Sequence, residues 1–170
     1  MIDFVNFLFS DYIIIFVILY IFAEGYILFQ LFPIYFNVLV DVIKKKKSYN
    51  FKQIFFQLIG GFLVLVLIKE TVNYLWGVPR PYIVFGLSYL DSIYPHDNTL
   101  ISGHSATSLF LALFTFNFSK TSGYINLFLA LIGSLLRALL LIHWWKDIVF
   151  GWWVGFIVFL IFWLLSQKIN

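Results

Sequence analysis

Residues 148–166, IVFGWWVGFIVFLIFWLLS, contain no charged side chain. A helix needs about 20 mostly apolar residues to cross the hydrocarbon core of a bilayer, so this stretch reads as a membrane span. Working back along the chain, segments 124–142, 102–118, 53–76 and 25–43 read the same way. Segment 4–22 is also apolar, but Asp11 stands in its middle. A charge at the bilayer centre costs about 2.5–3.5 kcal/mol on insertion scales. Ala23-Glu24-Gly25 is the only turn available before the next span. Segment 4–22 therefore reads as an interfacial helix or a sixth span, the interface being preferred. It carries no polar leader with a cleavage site of the signal-peptide kind. The expected fold is an all-α, polytopic transmembrane helix bundle of five to six membrane helices. It forms one domain over 1–170, with 1–24 as an apolar N-terminal piece and 77–101 as a long loop.

Composition agrees. Of the 170 residues, 62% are hydrophobic and 11% are charged, against about 25% charged in a soluble domain. The absence of cysteine excludes a disulfide scaffold. A net charge of +3, with the basic residues mostly beside apolar runs, argues against nucleic acid as a partner. Aromatic residues make up 22% of the chain, which suits lipid and its interfaces.

The basic residues orient the bundle. Lys44, Lys45, Lys46, Lys47 and Lys52 mark a cytoplasmic loop. Alternating the spans from there puts Lys120 and Lys168 on the same side. Lys69, Arg80, Arg137 and Lys146 then fall at the outer ends of helices, where the positive-inside rule gives them no reason to be.

That outer face holds most of the polar chemistry. In the loop, Val78-Pro79-Arg80-Pro81 stops the preceding helix, because a residue before proline is pushed out of helical geometry. Ser102-Gly103-His104 opens the next span, and a helix N-terminus presents backbone N–H groups and a positive dipole to an anion. Further on stand Arg137, His143 and Asp147. On a helix, His143 and Asp147 would share a face, and a carboxylate there holds the tautomer of the ring. Two histidines beside an anion cradle point to phosphoryl transfer: one attacks phosphorus, the other protonates the leaving oxygen. Arginine grips phosphate oxygens in pairs and stays charged. No Walker loop, no HExxH and no carboxylate cluster with magnesium spacing is present. A mechanism with no metal and no cofactor is the simpler expectation.

Taken singly, each element has a plain structural reading. Arg80-Pro81 is a common loop dipeptide. Ser102 is a helix cap. His143 is an interfacial histidine, with Trp144 and Trp145 as belt anchors. Lys146 reads as a solvated charge, His96 and Asp97 as loop polar residues, and Glu70 as the partner of Lys69. Glu24 and Asp41 receive no role. It is the conjunction of motifs, in order and on one face, that favours chemistry.

At these residues the sequence resembles the type 2 phosphatidic acid phosphatases, membrane enzymes that share a core with vanadium haloperoxidases and glucose-6-phosphatase. That family carries Lys-x6-Arg-Pro, Pro-Ser-Gly-His and Ser-Arg-x5-His-x3-Asp. Here the first survives as Arg80-Pro81. The second reads Ile101-Ser102-Gly103-His104. The third reads Leu136-Arg137, five residues, His143, three residues, Asp147. The resemblance spans roughly 53–166. It implies His143 as the nucleophile that becomes phosphorylated, Asp147 as its orienting group and His104 as the general acid. Arg80, Arg137 and the Ser102-Gly103 turn would hold the phosphate. Three positions depart from the pattern: Ile101 for proline, Leu136 for serine, and Asn73 where the lysine would stand. The nearest lysine is Lys69, one helical turn earlier. On an unbroken helix it would lie about 16 Å from Arg80, so the two meet only if the chain reverses at Gly77-Val78-Pro79. Lys69 is taken as the phosphate lysine. The longer first spacing resembles the lipid A phosphatase branch.

The resemblance implies a lipid phosphate or diphosphate substrate within the bilayer, such as undecaprenyl diphosphate, phosphatidylglycerophosphate, phosphatidic acid or lipid A 1-phosphate. It implies a bacterial cytoplasmic membrane with the site facing outward. A non-catalytic lipid-binding or structural protein on a degenerate scaffold is the competing reading. A small transporter is a third, and it would need polar residues at mid-membrane in 102–166, where few occur.

Overall fold

The computed structural model describes residues 1–44, 50–87, 90 and 98–169. Lys45, Lys46 and Lys47 of the lysine run lie outside them, as do His96 and Asp97. The described chain is a helix bundle: α1 (Ile2–Asp11), α2 (Ile13–Ile43), α3 (Phe51–Trp76), α4 (Pro81–Val84), α5 (Gly103–Thr115), α6 (Lys120–Leu139) and α7 (Trp145–Ser166). Two short strands, β1 (Val78–Pro79) and β2 (Asn98–Thr99), pair antiparallel in the long loop. A π-helical turn at Phe56–Gly60 interrupts α3.

Among the described residues, α2, α3, α6 and α7 are each long and apolar enough to cross a bilayer. The protein is an integral membrane protein. The expected span 102–118 is a shorter helix: α5 has 13 residues, about 20 Å of rise against a core of about 30 Å. It can be short because the other helices surround it. Its buried residues run from Ser105 to Thr115, and none of its positions is exposed.

The N-terminal expectation is corrected. Ala23-Glu24-Gly25 is not a turn; α2 runs straight through it for 31 residues. The break lies at Tyr12, where the backbone leaves helical geometry (φ −135°, ψ 47°). Segment 4–22 is therefore split between α1 and the start of α2. Its inward residues Val5, Leu8 and Phe16 join Ala23 against Tyr82, Leu140, Leu141 and Ile142. This apolar cap sits over the loops that carry Arg80 and His143. Only that face is buried: Phe4, Phe7, Ile14, Ile18 and Ile21 are exposed, and the residues from Ile13 onward belong to the first candidate span.

Two devices fix the bundle where hydrophobicity cannot discriminate helix from lipid. The first is polar. Gln30 Nε2 on α2 donates to the carbonyls of Ser108 (3.1 Å) and Asn126 (2.8 Å). Asn126 Nδ2 on α6 donates back to Gln30 O (2.9 Å) and to Thr115 Oγ1 (2.7 Å). Together these bonds tie α2, α5 and α6 at mid-bundle. The second is steric. Asp147, Gly151 and Gly155 succeed each other at intervals of four along α7 and so share one face. A Cβ at Gly151 would lie 2.7 Å from Ser102 O, and one at Gly155 only 2.3 Å from Ala106 O. The backbones of α5 and α7 therefore touch, with no side chain between them. Gly155→Ala is expected to destabilise the fold by about 1–3 kcal/mol. Gly25→Ala, at a position where a Cβ meets nothing within 4 Å, should raise stability by about 0.5–1 kcal/mol. Thermal unfolding of the two variants in detergent checks the opposite signs.

Candidate active site

Local geometry places the third motif first. Helix α6 ends in a Schellman turn, with Leu141 in the left-handed position (φ 60°) that usually takes glycine. Ile142 N–H bonds to Arg137 O (2.9 Å) and Leu141 N–H to Ala138 O (3.1 Å). His143 N–H also reaches Arg137 O (3.1 Å). The backbone of Arg137 thus anchors the residue that follows the turn. Trp144 then caps α7, and Asp147 Oδ2 accepts its backbone N–H (3.2 Å). His143 and Asp147 are therefore not on one helix face, as the spacing suggested. The ring precedes α7 and the carboxylate belongs to its first turn.

The first motif arrives by chain reversal. Helix α3 stops at Trp76, β1 turns back, and its register sets Val78 opposite Thr99. Trp144 Nε1 donates to Pro79 O (2.9 Å) and Tyr82 N–H to Leu141 O (3.2 Å), locking this loop to the α6–α7 turn. Arg80 is consequently buried, with Nη1 at 3.4 Å from Ile142 O and 3.2 Å from His143 Nε2.

His143 is 3% exposed. Its Nδ1 lies 3.0 Å from Thr99 Oγ1 and 3.4 Å from Asp147 Oδ2. A guanidinium can only donate, so Nε2 facing Arg80 is the acceptor nitrogen and the proton sits on Nδ1. Burial pushes the ring well below the ordinary imidazole pKa, and the positive charges of Arg137 and Arg80 act in the same direction. The ring is neutral at pH 7, with its Nε2 lone pair toward the Arg80 guanidinium at the polar end of a cavity.

That cavity, about 580 Å³, is lined at its polar end by Lys69, Arg80, Gly103, His104, Arg137 and His143. Arg137 is buried. Its Nη1 donates to Ala23 O (3.1 Å) and to Glu24 Oε1, while its Nε has no partner among the described residues. Lys69 Nζ bonds Glu70 Oε1 (2.6 Å), the pairing expected for Glu70, and its methylenes pass over Gly103. His104 Nε2 stands 3.5 Å from Glu24 Oε2.

Not every expected residue lines the cavity. Asp147 lies behind His143, fully buried. Ser102 is fully buried as well; its N–H donates to Asp147 O (3.0 Å) and its Oγ accepts from Ser105 N–H (3.4 Å) and Oγ (3.0 Å). The expected Ser102-Gly103 cradle reduces to the first-turn N–H groups of Gly103 and His104, which have no partner within their helix. Lys146 is exposed and outside the cavity.

Asn73 stands apart too. Its Oδ1 accepts from the N–H groups of Leu100 (2.9 Å) and Ile101 (2.8 Å), and its Nδ2 donates to Ile101 O (3.3 Å). It binds the chain entering α5. Two residues beside the site received no role from sequence. Thr99 touches the His143 ring and is placed only by the β1–β2 register. Glu24 sits in α2, far along the chain from the three motifs.

The family model of the PAP2 superfamily matches residues 54–170. No curated protein and no solved structure matches the chain. On a match covering more than half of its length, the chain belongs to the PAP2 superfamily, whose members are phosphatases.

Proposed function

We propose that the protein is a lipid phosphatase that works through a phosphohistidine on His143, without a metal. The observation that carries this reading is the orientation of that ring. Nδ1–H is held by Thr99 and Asp147, which leaves Nε2 as the acceptor beside Arg80, in a residue that lines the cavity together with Arg80, Arg137, Lys69 and the N-terminus of α5. In the first step Nε2 forms a bond to phosphorus as the bond from phosphorus to the lipid oxygen breaks. His104 gives its proton to that oxygen, which leaves as an alcohol. In the second step water attacks the phosphohistidine, His104 takes up a proton, and phosphate leaves with His143 restored. Arg80, Arg137, Lys69 and the Gly103 and His104 N–H groups hold the equatorial oxygens, where fixed positive charge supplies most of the stabilisation.

A lipid substrate is supported by the rest of the cavity. Below the polar end its wall is Ile27 and Leu28 of α2 with Phe62, Leu65 and Val66 of α3. A headgroup in the cradle would leave its acyl chain along this apolar wall. The outward orientation is supported by Lys52 and Lys168, which flank the opposite end of the bundle. There Asn50 Nδ2 bonds Ile169 O (3.2 Å) and Gln53 Nε2 bonds Ser166 Oγ (3.4 Å). A bacterial cytoplasmic membrane suits this reading.

Purified protein should release phosphate from a lipid phosphate in the presence of EDTA, and vanadate should inhibit it by occupying the phosphoryl site. Strict dependence on an added divalent cation would overturn the histidine mechanism. The two candidates for the lysine role separate by readout. Lys69→Ala should cut kcat/KM by about 10–100-fold with little change in thermal stability. Asn73→Ala should cost about 2–3 kcal/mol of stability, because it strands buried N–H groups. Calorimetry together with phosphate release distinguishes them.

A further inference from the structure

Glu24 places a carboxylate inside an anion site. Its Oε1 takes Arg137 and its Oε2 lies 3.5 Å from His104 Nε2. It comes from α2, outside the matched region of residues 54–170. Its side chain is only 30% exposed, so its charge is poorly screened by solvent. Across the cavity Lys69 is paired with Glu70. The charged lining is therefore Lys69, Arg80 and Arg137 against Glu24 and Glu70, which leaves one formal positive charge, or two when His104 carries the proton it delivers.

We propose that Glu24 makes this site selective for lipid phosphomonoesters and against lipid diphosphates, an inference that rests on the phosphatase reading above. Size does not exclude a second phosphate from a cavity of about 580 Å³. Charge does. A monoester brings up to about two negative charges, and a diphosphate brings roughly one more. The position of Glu24 matters as much as its sign. His104 is the group that protonates the leaving oxygen, so Glu24 marks the leaving-group side. From a monoester the group that departs is a neutral alcohol, which a carboxylate tolerates and can hydrogen-bond. From a diphosphate it is a second phosphate, whose oxygens would face Glu24 across a few ångströms of low dielectric. Like charges so placed discriminate by repulsion, not by fit.

The test uses polyprenyl monophosphate and polyprenyl diphosphate of one chain length, so that only the extra phosphate differs. Wild-type protein should favour the monophosphate in kcat/KM by about tenfold or more. Glu24→Gln, which keeps the shape and removes the charge, should shrink that ratio by about tenfold, and Glu24→Asp should retain it. A wild-type ratio at or below one overturns the proposal. So does a Glu24→Gln change that moves both substrates by the same factor, since Glu24 would then only support His104 and Arg137. If the variants fail to fold, the wild-type ratio decides. If wild-type protein hydrolyses neither lipid, the phosphatase reading fails separately. Binding of an alkyl phosphonate and the matching alkyl diphosphonate to wild type still decides selectivity: tighter monophosphonate supports it, and equal or tighter diphosphonate overturns it.

Discussion

His143→Ala is expected to lower phosphate release from a lipid phosphate by about three orders of magnitude or more. The size of the loss follows from geometry. Nε2 has no substitute: Arg80 beside it carries no lone pair to donate, and His104 is engaged with Glu24. The fold should survive, because Arg137, Thr99 and Asp147 are also held by bonds that do not use the imidazole. Brief mixing of wild type with labelled lipid phosphate, followed by alkaline quench, should leave an acid-labile phosphoprotein. The same experiment on His143→Ala should leave none. Full activity in His143→Ala would remove the assignment altogether.

His104→Ala should give the second largest loss, and one that depends on the leaving group. General acid catalysis contributes about 10²–10⁴-fold, and it is needed in proportion to the basicity of the departing oxygen. Turnover of a lipid monoester, whose alcohol leaves poorly, should fall by that factor. Turnover of a p-nitrophenyl phosphate, whose phenolate leaves unaided, should fall much less. Comparable losses on both substrates would show that His104 holds phosphate or structure instead of moving a proton.

Much of this was legible in the sequence because the relevant physics is local. Apolar runs identify α3, α6 and α7 with boundaries a few residues from those observed, whereas α2 begins twelve residues before the expected span 25–43. The order of Arg80, His104, Arg137 and His143 reads correctly as a gathering at one end, because spans that alternate in direction leave no other arrangement. What could not be read was set by contacts between distant segments. Thr99 reaches His143 through a two-residue ribbon too short to leave a periodic signal. Glu24 looks like a turn residue from its neighbours, yet it is a helical residue whose charge is satisfied by Arg137, more than a hundred residues on. Segment 4–22 packs one face against loops and leaves the other exposed, two uses of apolar residues that hydropathy cannot separate.

Two departures from the family pattern also turn out to be one. Asn73 stands at the lysine position and Ile101 at the proline position, and their groups bond each other. Proline has no N–H to offer Asn73 Oδ1. An isoleucine that can donate and an asparagine that can accept therefore belong together, and in the proposed reading the lysine role passes to Lys69, one turn back. Read separately, the two changes looked like decay of a site. Jointly they are a different way of fastening the same loop.

The short central helix α5 separates contact with lipid from the candidate site. The outer helices meet the acyl chains, and they can tilt as a bilayer thickens or thins. Helix α5, which carries His104 and the Gly103 N–H, has no exposed position and is bound to α7 backbone against backbone. Changes in lipid thickness therefore strain the rim of the molecule and reach its chemistry only at second hand. A cell that remodels its membrane with temperature or growth phase would keep this site in register without altering the protein.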